Sequence, residues 1–403
     1  MALMPVAEAL RRVLAEAEPL TAELTPLTHA HGRVLAADVA ALRTQPPADV
    51  SAMDGYAVRS ADVVQVPVEL KLIGEVAAGH PFAGTVGRGE AARIFTGGVL
   101  PPGTDAVVIQ ENTTRRGDTV VVTASAGTGK HVRAEGLDFK RGAALLAKGR
   151  RLSDRDLALA AAMNHPSVPL HRRPKVAVLA TGDELVMPGS SPGFGEIVYS
   201  NGYATMALAR REGCEVVDLG IVPDHLGETA AAVRRGRDIG ADILVTSGGA
   251  SVGDYDLVQK ALAGEGLALS FWKVALRPGR PMMHGRLGAM HVLGLPGNPV
   301  SAYVCAVLFL VPLIRRLAGR GDVEPVLETA RLGCALPQND ERADYMRATL
   351  VLGADGVPVA TPAAVQDSSM LVPLARADCL VVRAPHAQAA NAGDSCLIVR
   401  LAI

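Results

Sequence analysis

The residues best suited to chemistry lie in short polar turns that follow apolar runs. The fullest is Ala241 to Asp256, ADILVTSGGASVGDYD. Ile243-Leu244-Val245 is apolar enough for a buried parallel strand. Ser247, Gly248, Gly249, Ser251 and Gly253 then form a glycine-rich turn. Asp254 and Asp256 follow, and a helical pattern resumes at Leu257, Val258, Ala261 and Leu262. Strand, glycine-rich turn and helix together aim backbone N–H groups at an anion. Glycine permits positive φ and close approach of a ligand, and the carboxylates beside the turn could hold a cation bridging to that anion. A plain strand-to-helix connection is the alternative reading.

Three further turns have the same placement. Thr181-Gly182-Asp183-Glu184 follows KVAVLA, Asp224 follows EVVDLGIV, and the turn Gly294-Leu295-Pro296-Gly297-Asn298-Pro299 follows Met290-His291-Val292-Leu293. Strands alternating with helices predict an open parallel sheet, whose strand ends would bring all these turns to one edge. Between the turns lie Lys273, Arg277 and Arg280, the arginines stiffened by Pro278, Gly279 and Pro281. They read as an anion-binding turn, with a solvated basic face as the alternative.

The elements around this unit differ in grammar. Val6, Leu10, Val13 and Leu14 predict an amphipathic helix over 5–17 rather than a signal peptide. Short β runs punctuated by Gly and Pro extend from Val66 to Val122. Polar turns stand near them at Asp54-Gly55, Thr96-Gly97-Gly98 and Glu135-Gly136-Leu137-Asp138. Ser153 is a candidate N-cap for a helix from Arg155 to Met163. The grammar changes at Arg173-Pro174 and again after Gly319. Beyond Gly319 short strands predict a small β-barrel or sandwich, with a hairpin turn at Asp355-Gly356 and Arg342, Arg347, Ser368 and Ser369 as polar contributors.

Composition narrows the function. Lys and Arg number 40 against 41 Asp and Glu, which argues against a globally basic nucleic-acid binder. The five cysteines are scattered without a CxxC pair and read as reduced thiols of a cytoplasmic protein. The apolar run from Val300 to Ile314 contains Pro312 and reads as too short to span a bilayer.

Seven stretches in order, SAMDGYA (51–57), IFTGGVLPPGTDAVV (94–108), EGLDF (135–139), ATGDEL (180–185), TSGGASVGDYD (246–256), FWKVALRPGRP (271–281) and GLPGNPVSA (294–302), resemble the molybdopterin molybdenumtransferases. These are the molybdate-insertion enzymes of molybdenum-cofactor synthesis, related to the carboxyl-terminal domain of gephyrin. The resemblance implies an α/β plus β chain forming an elongated, four-part homodimer subunit. Its parts would be a linking unit (1–43 with 141–172), an inserted mainly-β domain (44–140), a parallel-sheet molybdopterin-binding domain (173–320) and a small C-terminal β-barrel (321–403). It also implies that adenylylated molybdopterin and molybdate react in a magnesium-dependent step to give molybdenum cofactor and AMP, with an adenylyltransferase supplying the substrate.

The family's important positions correspond to Asp54, Thr96, Asp138, Glu184, Asp224, Asp254, Lys273, Arg277, Pro296, Pro299, Arg347 and Ser368. Its molybdate contacts correspond to Arg277, Arg280, Ser301, Arg347 and Ser368, with Ser369 as the alternative serine. Many members carry Lys where this chain has Arg277 and Arg280. On that basis Glu184, Asp224 and Asp254 are the expected magnesium ligands. Thr181, Gly182, Asp183, Ser247, Gly248, Gly249, Ser251, Gly253, Gly297 and Asn298 join the substrate-binding set. No Ser-His-Asp or Cys-His set is evident, so positioning and electrostatics are expected to carry the reaction. Rival readings are a competence-damage-type nucleotide hydrolase and a gephyrin-like dimeric scaffold.

Overall fold

The computed structural model describes residues 3–248 and 257–401. At its centre is a six-stranded sheet in the order Glu215–Val222, Lys175–Thr181, Ile243–Ser247, Met290–Leu295, Met283–Leu287, Ala268–Trp272. The first four strands run parallel, and the last two are antiparallel. The sheet is therefore mixed where an open parallel sheet is expected. The cause is local: Leu287 pairs with Met290 across the two-residue turn Gly288-Ala289, and Gly288 takes φ 60°. That hairpin adds strands at one edge without a crossover helix.

Both faces of the sheet are covered. Helix Asn201–Arg211 and the long helix beginning at Pro299 pack on one face, and helices Leu226–Asp238 and Leu257–Gly264 on the other. The parallel strands are accordingly apolar throughout; Ile243, Leu244 and Val245 have no exposed surface. The long helix runs from Pro299 to Leu317, 19 residues, with a π turn at Ala306–Leu310 just before Pro312. Proline offers no N–H and crowds the carbonyl four residues back, so the widened turn relieves that clash. This length corrects the expectation drawn from the Val300–Ile314 run, because a helix of 19 residues with this composition is long and apolar enough to cross a membrane. Within the fold, however, 83% of its apolar window is buried among the protein's own elements, as in a core helix.

The first helix, Val6–Ala15, packs Ala9 and Val13 against the core of the α/β unit. Met4 fixes it there by pairing with Val274. The linking unit consists of Ala22–Pro26 paired with Ser167–His171, Val39–Ala40 paired with Ala144–Leu146, and helix Asp154–Ala162. Ser153 caps that helix as expected: its Oγ accepts from the Asp156 N–H, and the Asp156 carboxylate accepts from the Ser153 N–H.

The β unit is a curled six-stranded sheet in the order Ala106–Ile109, Gly55–Val58, Glu90–Ile94, Val68–Val76, Thr119–Val122, Thr113–Arg116. In the C-terminal part, Ala343–Leu352, Pro358–Pro362, Leu327–Leu332, Ser395–Arg400 and Cys379–Arg383 close into a five-stranded barrel, the last strand pairing back to the first. Asp355-Gly356 makes the hairpin turn, with Gly356 at φ 79°. All five cysteines are free thiols.

One buried ion cluster ties two helices of the α/β unit together. Glu212 closes helix Asn201–Arg211, and its carboxylate, 3% exposed, pairs with Arg315 at 3.0 Å and Arg320 at 2.7 Å. Burial raises its pKa, but the Arg315 hydrogen bond and the Arg315, Arg320 and Arg211 charges outweigh burial and leave it below the ordinary value. A depressed carboxylate pKa adds stability that is present above the unfolded-state value and lost as pH falls through the folded-state value. Breaking such a pair costs about 3 kcal/mol. Glu212→Gln is therefore expected to lower stability at neutral pH and to flatten the loss below about pH 5, as read by denaturant unfolding across pH.

Candidate functional site

Strand order reverses between Lys175–Thr181 and Ile243–Ser247: one is followed by a helix on one face, the other by a helix on the opposite face. A crevice opens beyond the carboxyl ends of strands at such a switch point. Register brings the ends together, with Ala180 beside Ser247, Thr181 beside Val222 and Ser247 beside Leu295. Gly248 sits at φ 92°, and a Cβ there would lie 2.3 Å from the Thr181 carbonyl oxygen. The two strand ends can approach this closely only because that side chain is missing.

A cavity of about 410 Å³ fills the crevice. Its apolar wall is Leu185, Ile197, Val198, Tyr199 and Leu371, and its polar lining includes Thr181, Ser200, Asn201, Ser247, Gly248, Gly297, Asn298, Pro299 and Ser369. Helices Asn201–Arg211 and Pro299–Cys305 both begin at this cavity, and neither has a side-chain cap. Their N–H groups and dipoles favour an anion there. Among the described residues Thr181 Oγ1 and the Tyr199 hydroxyl are buried without partners, and a polar ligand group could satisfy them. Asn201 Nδ2 donates to the Gly297 carbonyl at 2.7 Å, and Asn298 Nδ2 donates to Ser368 Oγ at 2.8 Å. These bonds, with Val300 N–H to the Ser368 carbonyl at 3.1 Å, hold the Pro296–Pro299 turn between a helix and a barrel loop. Ser301 is buried in the first turn of the long helix.

Three carboxylates stand at the strand ends. Glu184 lines the cavity, folded over Gly182, where a Cβ would lie 2.5 Å from Glu184 Oε2. Asp183 Oδ1 accepts from the Asp224 N–H at 3.0 Å. Partial burial, then the charges of Asp183 and Glu184, hold the Asp224 carboxyl above its usual range. Like charges gathered without a cation are what a divalent ion would relieve. Among the described residues no group of three or more His, Cys, Asp or Glu is arranged as a metal cage. Magnesium commonly takes one or two carboxylates with waters and phosphate oxygens, and Glu184 and Asp224 are the described carboxylates that could supply them. Asp254, Gly249, Ser251 and Gly253 lie outside the described residues.

The cations separate into different situations. Lys273 has φ 87°, an uncommon backbone state for a side-chain-bearing residue, and its Nζ lies 4.6 Å from the Trp272 ring centroid. Arg280 is exposed and has no hydrogen-bond or ion-pair partner among the described residues. Arg277 differs from the sequence expectation of a fork open to an anion. Its Nε and Nη2 bind both oxygens of Asp344, Nη1 donates to Asp340 at 2.9 Å, and Nη2 also donates to Asn339 at 3.0 Å. Arg347 is fully buried in the barrel wall, yet among the described residues its Nε and Nη1 lack partners. Burial pushes its pKa down, with Asp367 opposing. It lines a second cavity of about 290 Å³ with Thr349, Thr361 and Arg376.

Of the two serines, Ser368 is tied to Asn298, while Ser369 lines the first cavity with its hydroxyl donating to Asp367 at 2.6 Å.

The β unit holds a separate constellation. Asp54 Oδ1 accepts from both the N–H and the hydroxyl of Thr96, each at 2.8 Å, and these bonds hold its carboxyl below the usual range. Asp138 is exposed on another turn, held by its N–H to the Gln45 carbonyl at 3.1 Å. Asp54 and Thr96 are thus brought together, and neither bonds to a residue of the α/β unit.

Sequence reasoning did not single out Ile197, Val198, Tyr199 or Leu371 as site residues. The first three reach the cavity because Leu185–Val186 pairs with Ile197–Val198 across the Gly/Pro loop.

Comparison with known proteins agrees with this arrangement. Residues 4–164 match a family described as the MoeA N-terminal region (domain I and II), 177–316 a probable molybdopterin binding domain, and 329–401 the MoeA C-terminal region (domain IV). A molybdopterin molybdenumtransferase of Nostoc sp. is 37% identical over 94% of this chain and 89% of its own length. One from Haemophilus influenzae is 34% identical over 94% of each. The crystal structure of a molybdopterin biosynthesis MoeA protein from Pyrococcus horikosii superposes with a TM-score of 0.86 at 30% identity, covering 99% of both chains. The switch-point cavity, the uncapped helix ends and these full-length likenesses lead to one conclusion: the chain belongs to the molybdopterin molybdenumtransferase family.

Proposed function

We propose that the chain inserts molybdate into adenylylated molybdopterin, releasing AMP and forming molybdenum cofactor, with magnesium as the assisting ion. The observation that carries this reading is the switch-point cavity, which joins an apolar wall to two uncapped helix N-termini. A flat heterocycle bearing a phosphate needs that combination. The ring lies against Tyr199, Ile197 and Leu371, and the phosphate meets the N–H groups near Gly248 and Pro299.

The substrates are all anionic, so the residues divide the charge. Glu184 and Asp224 would hold magnesium, which when bound supplies charge neutralisation on the leaving phosphate. Lys273, Arg280 and Arg347 attract the oxyanion, and Ser368, with its oxygen occupied by Asn298, keeps its proton to donate. The Asp54 side chain is bonded to Thr96 in the β unit, and among the described residues neither bonds to the α/β unit, so we assign them to the active site of a second copy in a homodimer. The free cysteines fit a reducing, cytoplasmic setting, and the substrate would come from an adenylyltransferase acting on molybdopterin.

Removing an electrostatic contact of this kind typically costs about 100- to 1,000-fold in turnover. Asp224→Asn is expected to lose AMP release by that order and to shift its magnesium dependence to higher concentration. Unchanged turnover and magnesium response in this variant would remove the metal assignment.

The shared site has its own test. Asp54→Ala and Glu184→Ala chains should each be inactive. Mixed one to one, they should recover about a quarter of wild-type AMP release, because half of the dimers then carry one intact site. Mixed dimers that form without regaining activity would contradict the assignment.

A further inference from the structure

We infer that Arg277 is a positioning residue that clasps the barrel to the α/β unit, leaving the oxyanion to Arg280 and Arg347; this rests on the proposed molybdate insertion. The guanidinium spends four donor bonds on barrel residues: two to Asp344, one to Asp340 and one to Asn339. Only one of its five N–H groups remains. The backbone joins the same union, since Leu276–Arg277 pairs as a parallel strand with Ala343–Asp344.

A planar fork can bind both oxygens of one carboxylate, whereas an ammonium makes a point contact. Arginine at this position therefore suits clasping better than lysine would.

The clasp fixes what the barrel brings to the site. Arg347 stands three residues beyond Asp344 on the same strand, Ala343–Leu352. Its backbone holds the loop that follows: the Ala363 N–H donates to the Arg347 carbonyl, and Gln366 bonds both the N–H and the carbonyl of Arg347. That loop ends in Ser368, bonded to Asn298. Arg277 and the Ser368–Asn298 contact are thus two points at which barrel and α/β unit hold register.

Arg280 is held differently. The turn before it packs on the long helix, where a Cβ on Gly279 would lie 2.6 Å from Leu276 Cδ2 and 2.8 Å from Cys305 Sγ. The two arginines are therefore presented to different neighbours.

The test uses the full-length protein, with turnover measured as AMP release against molybdate concentration. Arg277→Ala and Asp344→Asn should each lower kcat about tenfold while moving half-saturation by molybdate less than about threefold. The double variant should be no worse than either single one, because the pair acts as a unit. Arg277→Lys, which keeps the charge and loses the fork, should follow Arg277→Ala in kcat. Arg280→Ala should instead raise half-saturation by about tenfold or more.

The clasp is overturned if Arg277→Ala raises half-saturation tenfold while Asp344→Asn lowers it, since that is the behaviour of an anion ligand freed from a competitor. It is also overturned if the two kcat losses multiply, or if Arg277→Lys matches wild type. An unshifted Arg280→Ala removes the oxyanion from this turn, and the double variant then still decides the clasp.

Discussion

A parallel sheet whose strand order reverses cannot be closed at its carboxyl edge, and every other feature of the site depends on that gap. Helix Asn201–Arg211 covers one face beside Lys175–Thr181, and helices Leu226–Asp238 and Leu257–Gly264 cover the other. At the reversal no helix can bridge the ends of Lys175–Thr181 and Ile243–Ser247. The strand ends there expose backbone polar groups that need partners. Gly248 lets the ends close tightly, and the Pro296–Pro299 turn and the Ser368 loop roof the remaining space.

Charge is then sorted by how each group is already paired. Partial burial and the charges of Asp183 and Glu184 hold the Asp224 carboxyl above its usual range, so added positive charge would be favourable at that corner. Arg347 is buried with unused donors, and Arg280 is exposed and unpaired among the described residues. Arg277 and Glu212, by contrast, are satisfied within the fold. Satisfied pairs hold elements in place, while unsatisfied groups are the ones with free energy still to gain from a ligand.

The turns at 181–184, 224 and 296–299 were legible in the sequence because parallel strands place their polar ends on one edge whatever the helices between them do. The Ser153 cap and the Asp355-Gly356 hairpin were legible because each depends on neighbours within a few residues. What could not be read depends on distant pairing. Tyr199 enters the cavity through a two-strand ribbon closed around a Gly/Pro loop. Arg277 has its partner Asp344 67 residues away on another domain, so its spacing to Arg280 showed only a basic turn. The stretch around Trp272 reads as a carrier of cations, yet it also forms the edge strand Ala268–Trp272, which owes its place to the Gly288-Ala289 hairpin.

In the proposed reaction the substrates meet in the switch-point cavity. Diffraction from crystals soaked with AMP, magnesium and molybdate tests it most directly. AMP phosphate density is expected against Gly248 and the N-terminus of the Pro299 helix, metal density at Glu184 and Asp224, and the oxyanion within hydrogen-bond reach of Arg280 or Arg347. AMP bound outside this crevice, for instance in the groove between the first helix and the barrel that Leu10 and Tyr345 line, would contradict it.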